Sequence, residues 1–118
     1  MKAIRRRDEI APEALERCHD GVGAVMCSSL LDGLGSEKFQ FMHKDDIAAG
    51  VSIGVHTHKD DEEIYFLFSG KGILTFDGAR CEMNAGDISL VTPGHSHGFE
   101  ATEDSVLIVV GSEPCKKP

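Results

Sequence analysis

The sequence predicts a single all-β domain, a sandwich or barrel, preceded by one short helix. Short alternating or β-branched segments follow one another from residue 23 onward, and turn signals separate them roughly every 8 to 12 residues. Thirteen glycines are spread over the 118 residues, which suits a chain with many tight turns. Strands and turns at this spacing are typical of sandwiches and barrels, and the length supports one domain.

The predicted helix lies near the N-terminal end of the chain. Pro12 suits a first helical position, and Glu13 and Glu16 are favourable in the opening turn. Leu15 supplies part of an apolar edge, and Gly21 is a helix stop. We therefore expect a short helix outside the strands that follow.

The remaining predicted elements are strands, at 24–27, 38–44, 51–57, 63–68, 72–76, 80–83, 88–91, 97–101 and 106–110. The alternation in 38–44 places Phe39, Phe41 and His43 on one face. Asp77-Gly78 is a strong hairpin signal. These elements divide the chain into an N-terminal arm with the helix (1–22), a barrel (23–112) and a polar tail (113–118).

Charge and cysteine content narrow the classes of partner. Twelve basic and 20 acidic residues give a net charge of −8, which disfavours nucleic-acid and membrane binding. No segment approaches the roughly 20 apolar residues of a membrane span, and the N-terminus does not resemble a secretory signal. We expect a cytoplasmic protein in which the four cysteines are ordinary thiols, namely Cys18, Cys27, Cys81 and Cys115.

Histidines are concentrated in one part of the sequence. His56 and His58 flank Thr57 in an alternating strand, so both rings project to one face. Glu63 begins the next strand, and two imidazoles with a carboxylate supply three potential ligands of a divalent metal site. His97 follows a Pro-Gly turn that can bring its ring to the same cavity, with His95 beside it.

Two histidines lie outside this cluster. His19 ends the predicted helix, where an imidazolium suits the helix dipole, and we expect a structural role for it. His43 shares a face with two phenylalanines and either lines a pocket or is a hydrogen-bonded core residue.

The cluster resembles the first motif of the cupin superfamily. That motif is Gly, five residues, His-x-His, three or four residues, Glu, six residues, Gly. It reads here Gly50-VSIGV-His56-Thr57-His58-KDDE-Glu63-IYFLFS-Gly70, with every position filled. Glu62 competes with Glu63 because the motif allows three intervening residues, but Glu63 leaves the six residues before Gly70.

The second cupin motif is also recognisable, as Gly86-DISLV-Thr92-Pro93-Gly94-His95-Ser96-His97-GFE-Ala101. Gly86, Gly94 and His97 match the motif, whereas Thr92 replaces a proline and Ala101 an asparagine. Neither departure falls on a metal ligand. The resemblance covers residues 50 to 101 and is closest to small single-domain, conserved-barrel cupins named after phosphomannose isomerase.

The resemblance implies a double-stranded β-helix, or jelly roll, that holds one divalent transition metal. The ligands carried over are His56, His58, Glu63 and His97, a set that accepts Mn, Fe, Ni, Co, Cu or Zn. Tyr65 and His95 are candidates for proton transfer. Further candidates for the wall of the site are His43, Phe41, Met83 and Phe99.

Two functions follow from such a site. The first is a small metalloenzyme, an isomerase, lyase, decarboxylase or dioxygenase acting on a sugar or a small oxygenated acid. The alternative is a binding or sensing module that holds a metal and a small ligand without turnover. The shared fold does not decide the reaction.

The strand alternation also predicts an apolar outer face. If His56, His58 and Glu63 point inward, so do Tyr65 and Leu67, and the opposite face carries Val51, Ile53, Val55, Ile64, Phe66 and Phe68. A sheet face this apolar needs a cover. A second subunit, giving a homodimer, is the expected cover, and the N-terminal segment is the alternative.

Overall fold

The structure, a computed structural model, describes residues 3–113, and this part of the chain folds as antiparallel strands with two short 3₁₀ turns. The strands are β1 (Glu13–Glu16), β2 (Ala24–Ser29), β3 (Phe41–Ile47), β4 (Ser52–Thr57), β5 (Glu63–Ser69), β6 (Lys71–Phe76), β7 (Ala79–Asn84), β8 (Ile88–Val91), β9 (Ser96–Ala101) and β10 (Ser105–Gly111). The predicted strands are therefore present, most of them with shifts of one residue at an end.

Two sheets face each other across the core. The larger has the order β1-β2-β3-β10-β5-β8, and the smaller has the order β4-β9-β6-β7. Tyr65, Leu67 and Leu107 of the larger sheet pack in one buried cluster with Leu74 and Phe99 of the smaller sheet. This arrangement is the predicted double-stranded jelly roll.

The hairpin signal at Asp77-Gly78 is confirmed. β6 and β7 pair in register from Lys71↔Asn84 to Phe76↔Ala79. Both turn residues have a positive φ, 47° at Asp77 and 82° at Gly78, as a type I′ turn requires.

The predicted N-terminal α-helix is wrong. Its segment forms β1, which pairs antiparallel with β2 from Glu13↔Cys27 to Glu16↔Ala24. Nucleation of an isolated helix this short costs free energy. In the strand conformation, the same backbone groups hydrogen-bond to the edge of β2. Arg17 then has a φ of 51°, which ends the strand in a turn to a 3₁₀ segment at Cys18–Asp20.

The predicted outward position of Ile53 is also wrong. Ile53 is 5 % exposed and belongs to the core, although His56 further along β4 also points inward. The pairing of β4 with β9 shifts between Ile53 and His56. This bulge breaks the simple alternation, so residues on both sides of it face the core.

β3 begins later than the alternation predicts. Phe39 precedes the strand and is 69 % exposed, with its backbone N–H donating to the Ser36 hydroxyl at 2.9 Å. Phe41 and His43 do lie together, with ring centroids 4.7 Å apart. A local turn at Ser36 thus removes Phe39 from their face.

Two sequence expectations fall at or beyond the limits of the described residues. Of the predicted polar tail, only Glu113 is described, and Cys115 lies outside the described residues.

In residues 3–113, no helix has the length and apolar character that a membrane crossing demands.

Candidate metal centre

Three histidines and one glutamate converge from the two sheets. His56 on β4 and His97 on β9 are cross-strand partners, His58 follows the end of β4, and Glu63 is the first residue of β5. Their potential ligand atoms all lie within 4.8 Å of one another, and His58, Glu63 and His97 are buried. The structure therefore brings together the four residues that the motif resemblance selects.

The separations between these atoms suit a bound ion. His58 Nε2 and His97 Nε2 are 3.0 Å apart, His97 Nε2 and Glu63 Oε1 are 3.0 Å apart, and His58 Nε2 and Glu63 Oε1 are 3.7 Å apart. Ligand atoms about 2.1 Å from an ion and at right angles to each other lie about 3.0 Å apart. The group is therefore able to hold a metal ion.

The outward nitrogens of two histidines are fixed by hydrogen bonds. His56 Nδ1 lies 2.8 Å from the Gly54 carbonyl oxygen, and His58 Nδ1 lies 2.9 Å from Asp61 Oδ2. Donation of the Nδ1 hydrogen to these oxygens leaves the Nε2 lone pair free for an ion. Burial lowers the pKa of His56 to about 4, so its imidazole is neutral at pH 7, as a ligand must be.

His97 is held differently. Its ring is fully buried, and its Nδ1 has no hydrogen-bond partner within the described residues. Tyr65 stacks on it, with ring centroids 4.0 Å apart and planes inclined by 12°. Tyr65 is 1 % exposed, so the structure places it behind His97, where it orients this ring.

The other predicted site residues lie further out. His95 Nδ1 pairs with Asp77 Oδ2 at 2.5 Å at an exposed position, and the His95 carbonyl oxygen accepts the His58 backbone N–H. Glu62 is exposed and its backbone N–H donates to the Ser112 hydroxyl, whereas Glu63 lies in the cluster. Glu63, and not Glu62, is therefore one of the four potential ligands.

An open cavity of about 270 Å³ gives access to the cluster. Its lining includes His56, His58 and Glu63, together with Phe41 and Lys59. Of the predicted wall residues, Phe41 lines this cavity, whereas Phe99 and Met83 are buried in the core. The cavity is large enough for a small organic acid beside an ion.

His19 is a site residue that sequence reasoning missed. Its ring stacks on His56, with centroids 3.6 Å apart and planes inclined by 14°, and it also lines the cavity. A Cβ at Gly54 would overlap the His19 carbonyl oxygen, so the glycine permits this close approach. No local pattern in the sequence signals a contact between residues 37 positions apart.

The hydrogen bond from His58 to Asp61 leads to a testable prediction. Asp61→Ala is expected to weaken Zn²⁺ or Mn²⁺ binding by about 10- to 100-fold, because it frees the His58 ring to rotate and lowers its basicity. Asp60→Ala, at the exposed neighbouring carboxylate of the same cavity, is the matched control. Titration with a competing chelator measures both, and equal losses in the two variants would contradict a specific role for Asp61.

Comparison with known proteins supports this fold. A curated Thermotoga maritima protein named oxalate-binding protein is 30 % identical over 105 residues, covering 88 % of this chain and 87 % of that protein. The crystal structure of a predicted oxalate decarboxylase from Thermotoga maritima superposes with a TM-score of 0.81 at 28 % identity, covering 92 % of this chain and 95 % of that one.

A third relative supports the fold alone. The crystal structure of a cupin 2 conserved barrel domain protein from Salinispora arenicola has a TM-score of 0.71 at 23 % identity, covering 96 % of this chain and 89 % of that one.

The family model of the cupin domain matches residues 44–111, which include all four potential ligands. A jelly roll with this match and these relatives belongs to the cupin family.

Proposed function

We propose that this cupin binds one divalent transition metal through His56, His58, Glu63 and His97 and uses it to bind a small dicarboxylate of the oxalate type. The convergence of the four ligand atoms within 4.8 Å beside an open cavity carries this proposal. A divalent ion held there would supply Lewis-acid polarisation of a coordinated oxygen. Oxalate is the ligand named for the curated relative that is 30 % identical.

A dication bound at the site would attract a small anion. Three imidazole ligands and one carboxylate ligand would leave a net positive charge on a bound dication, which attracts a carboxylate. The cavity lining carries Lys59 together with Asp60, Asp61 and Glu113, so the attraction for an anion would come from the bound ion itself. The cavity of about 270 Å³ admits a ligand of a few heavy atoms in addition to the ion.

Calorimetric titration of the metal-loaded protein with oxalate tests this function. Oxalate is expected to bind at least about tenfold more tightly than acetate, because two carboxylates can reach the ion together. Oxalate binding should vanish after a chelator has removed the metal from the protein, and it should also vanish in the Glu63→Gln variant. Equal affinity for oxalate with and without metal would overturn the proposal.

Turnover is a second candidate function, and the cavity contains groups suited to it. His19 lines the cavity beside His56, and burial lowers its pKa, so a neutral imidazole is available there at pH 7. Decarboxylation of the hydrogen oxalate anion to formate and carbon dioxide requires its carboxyl proton to move to carbon, and a neutral imidazole can accept that proton and return it. Tyr65 and His95 stay predictions as proton-transfer groups, as do the isomerase, lyase and dioxygenase activities.

Formate release distinguishes the two functions. The metal-loaded protein incubated with oxalate should produce formate and carbon dioxide in equal amounts if it is a decarboxylase. Bound oxalate recovered unchanged after prolonged incubation would identify a binding module.

A homodimer is the proposed assembly of this protein. The outer face of the larger sheet carries Phe68, Ile88 and Leu90 at 66 %, 66 % and 49 % exposure. Because these side chains stay exposed in the presence of residues 3–113, the described part of the N-terminal segment does not cover them. An exposed apolar face of this kind is typical of an interface between subunits.

Light scattering during gel filtration checks the assembly. The unmodified chain is expected to elute as a dimer, and Phe68→Glu to elute as a monomer, because a buried charge would oppose association. Phe39→Glu is the matched control, since Phe39 has nearly the same exposure, 69 % against 66 %, but lies outside the sheet. A monomer at micromolar concentration for the unmodified chain would contradict the prediction.

A further inference from the structure

A second group of potential metal ligands lies on the inner face of β2 and β3. It consists of Cys27, His43 and Asp45, whose ligand atoms all lie within 4.8 Å of one another. Cys27 and Asp45 are direct cross-strand partners. His43 is two residues before Asp45, so both side chains project from the same face of β3.

Asp45 is an unusual residue for a protein core. It is 5 % exposed, and its Oδ1 atom has no hydrogen-bond partner among the described residues, although the Cys27 thiol hydrogen-bonds the carboxylate. Burial raises the pKa of Asp45 to about 7. A buried carboxylate with an unsatisfied oxygen costs free energy unless a proton or a cation joins it.

The donor set of this group suits a thiophilic cation. A thiolate, an imidazole and a carboxylate are three of the ligand types that Zn²⁺ takes in proteins. A thiolate and a carboxylate together neutralise a dication, so the occupied site would carry no net charge into the core. Burial lowers the pKa of His43, so its ring is neutral and has a lone pair to donate.

We propose that Cys27, His43 and Asp45 form a second binding site for a divalent thiophilic cation of the Zn²⁺ class, separate from the histidine–glutamate group. A cavity of about 30 Å³ adjoins it, lined by His43 and Asp45 and also by His56 and Glu63. This volume holds one water molecule, which can complete the coordination. The site does not depend on the proposed function, because it shares no ligand with the first group.

Cobalt is the probe that separates the two sites. Only the second site contains sulfur, so only Co²⁺ bound there gives a thiolate-to-cobalt charge-transfer absorption band in the near ultraviolet. The protein is expected to bind two Co²⁺ per chain and to show this band. Cys27→Ser is expected to remove the band and to weaken the binding of one Co²⁺ by at least about tenfold, while the other stays bound.

The other three cysteines provide the control. A variant carrying Cys18→Ser, Cys81→Ser and Cys115→Ser keeps Cys27 as its sole thiol and should retain the full band. Glu63→Gln should also retain it, which distinguishes failure of the first site from failure of the second. No band in the unmodified protein, or a band that survives Cys27→Ser, would overturn the proposal.

Discussion

Glu63→Gln is expected to lower the affinity of the histidine–glutamate group for a divalent metal by at least about a hundredfold. Glu63 Oε1 lies 3.0 Å from His97 Nε2 and 3.7 Å from His58 Nε2, so it is the anionic member of the group. An amide is a weaker, uncharged ligand and cannot compensate the charge of a dication. Elemental analysis of the dialysed protein measures the metal retained per chain.

Glu62→Gln is the matched control for this variant. It makes the same chemical change one residue earlier, at an exposed side chain outside the cluster. We expect Glu62→Gln to retain metal like the unmodified protein. The assignment of Glu63 is wrong if Glu62→Gln loses the metal and Glu63→Gln keeps it.

Asp45 is expected to make the stability of the metal-free protein fall as the pH rises from about 4 to about 7. The ordinary pKa of an aspartate is 3.8, and burial raises that of Asp45 to about 7 in the folded state. Over this window the folded chain holds a proton that the unfolded chain has released. The stabilisation is therefore fully present below about pH 4 and is lost as the pH passes the raised pKa.

Asp45→Asn isolates this contribution, because asparagine does not titrate and the other groups are common to both proteins. Each pKa unit is about 1.4 kcal/mol, so the unmodified protein should lose about 3 kcal/mol relative to the variant between pH 5 and pH 8. Urea unfolding in the presence of a chelator at each pH measures the difference. A difference in stability that stays constant with pH would show that folding does not raise the pKa of Asp45.

Much of the candidate centre could be predicted from the sequence, because its signals are local. His56 and His58 are two residues apart on one strand, and Glu63 follows after a short turn. The period of a strand places the two histidines on one face, and the motif resemblance added Glu63 to them. His97 is distant in sequence, and its place depended on the second motif and the resemblance it carries.

The remaining parts of the site are decided by contacts between distant segments. His19 stacks on His56 after β1 has paired with β2. The sequence pattern predicts a helix for the residues of β1 and therefore does not predict this contact. Ile53 turns inward because of a bulge against β9, which is a property of two strands rather than one. Propensity and alternation carry no information about either event.

The sequence by itself determined the all-β class and most strand positions, because turn chemistry and side-chain period are local properties of the chain. The resemblance of its two motifs to cupins selected the four potential ligands. Only the tertiary structure decided that Tyr65 lies behind His97, that Asp45 is buried beside Cys27, and which apolar side chains stay uncovered. Burial and pairing depend on the packing of both sheets at once, so no single segment specifies them.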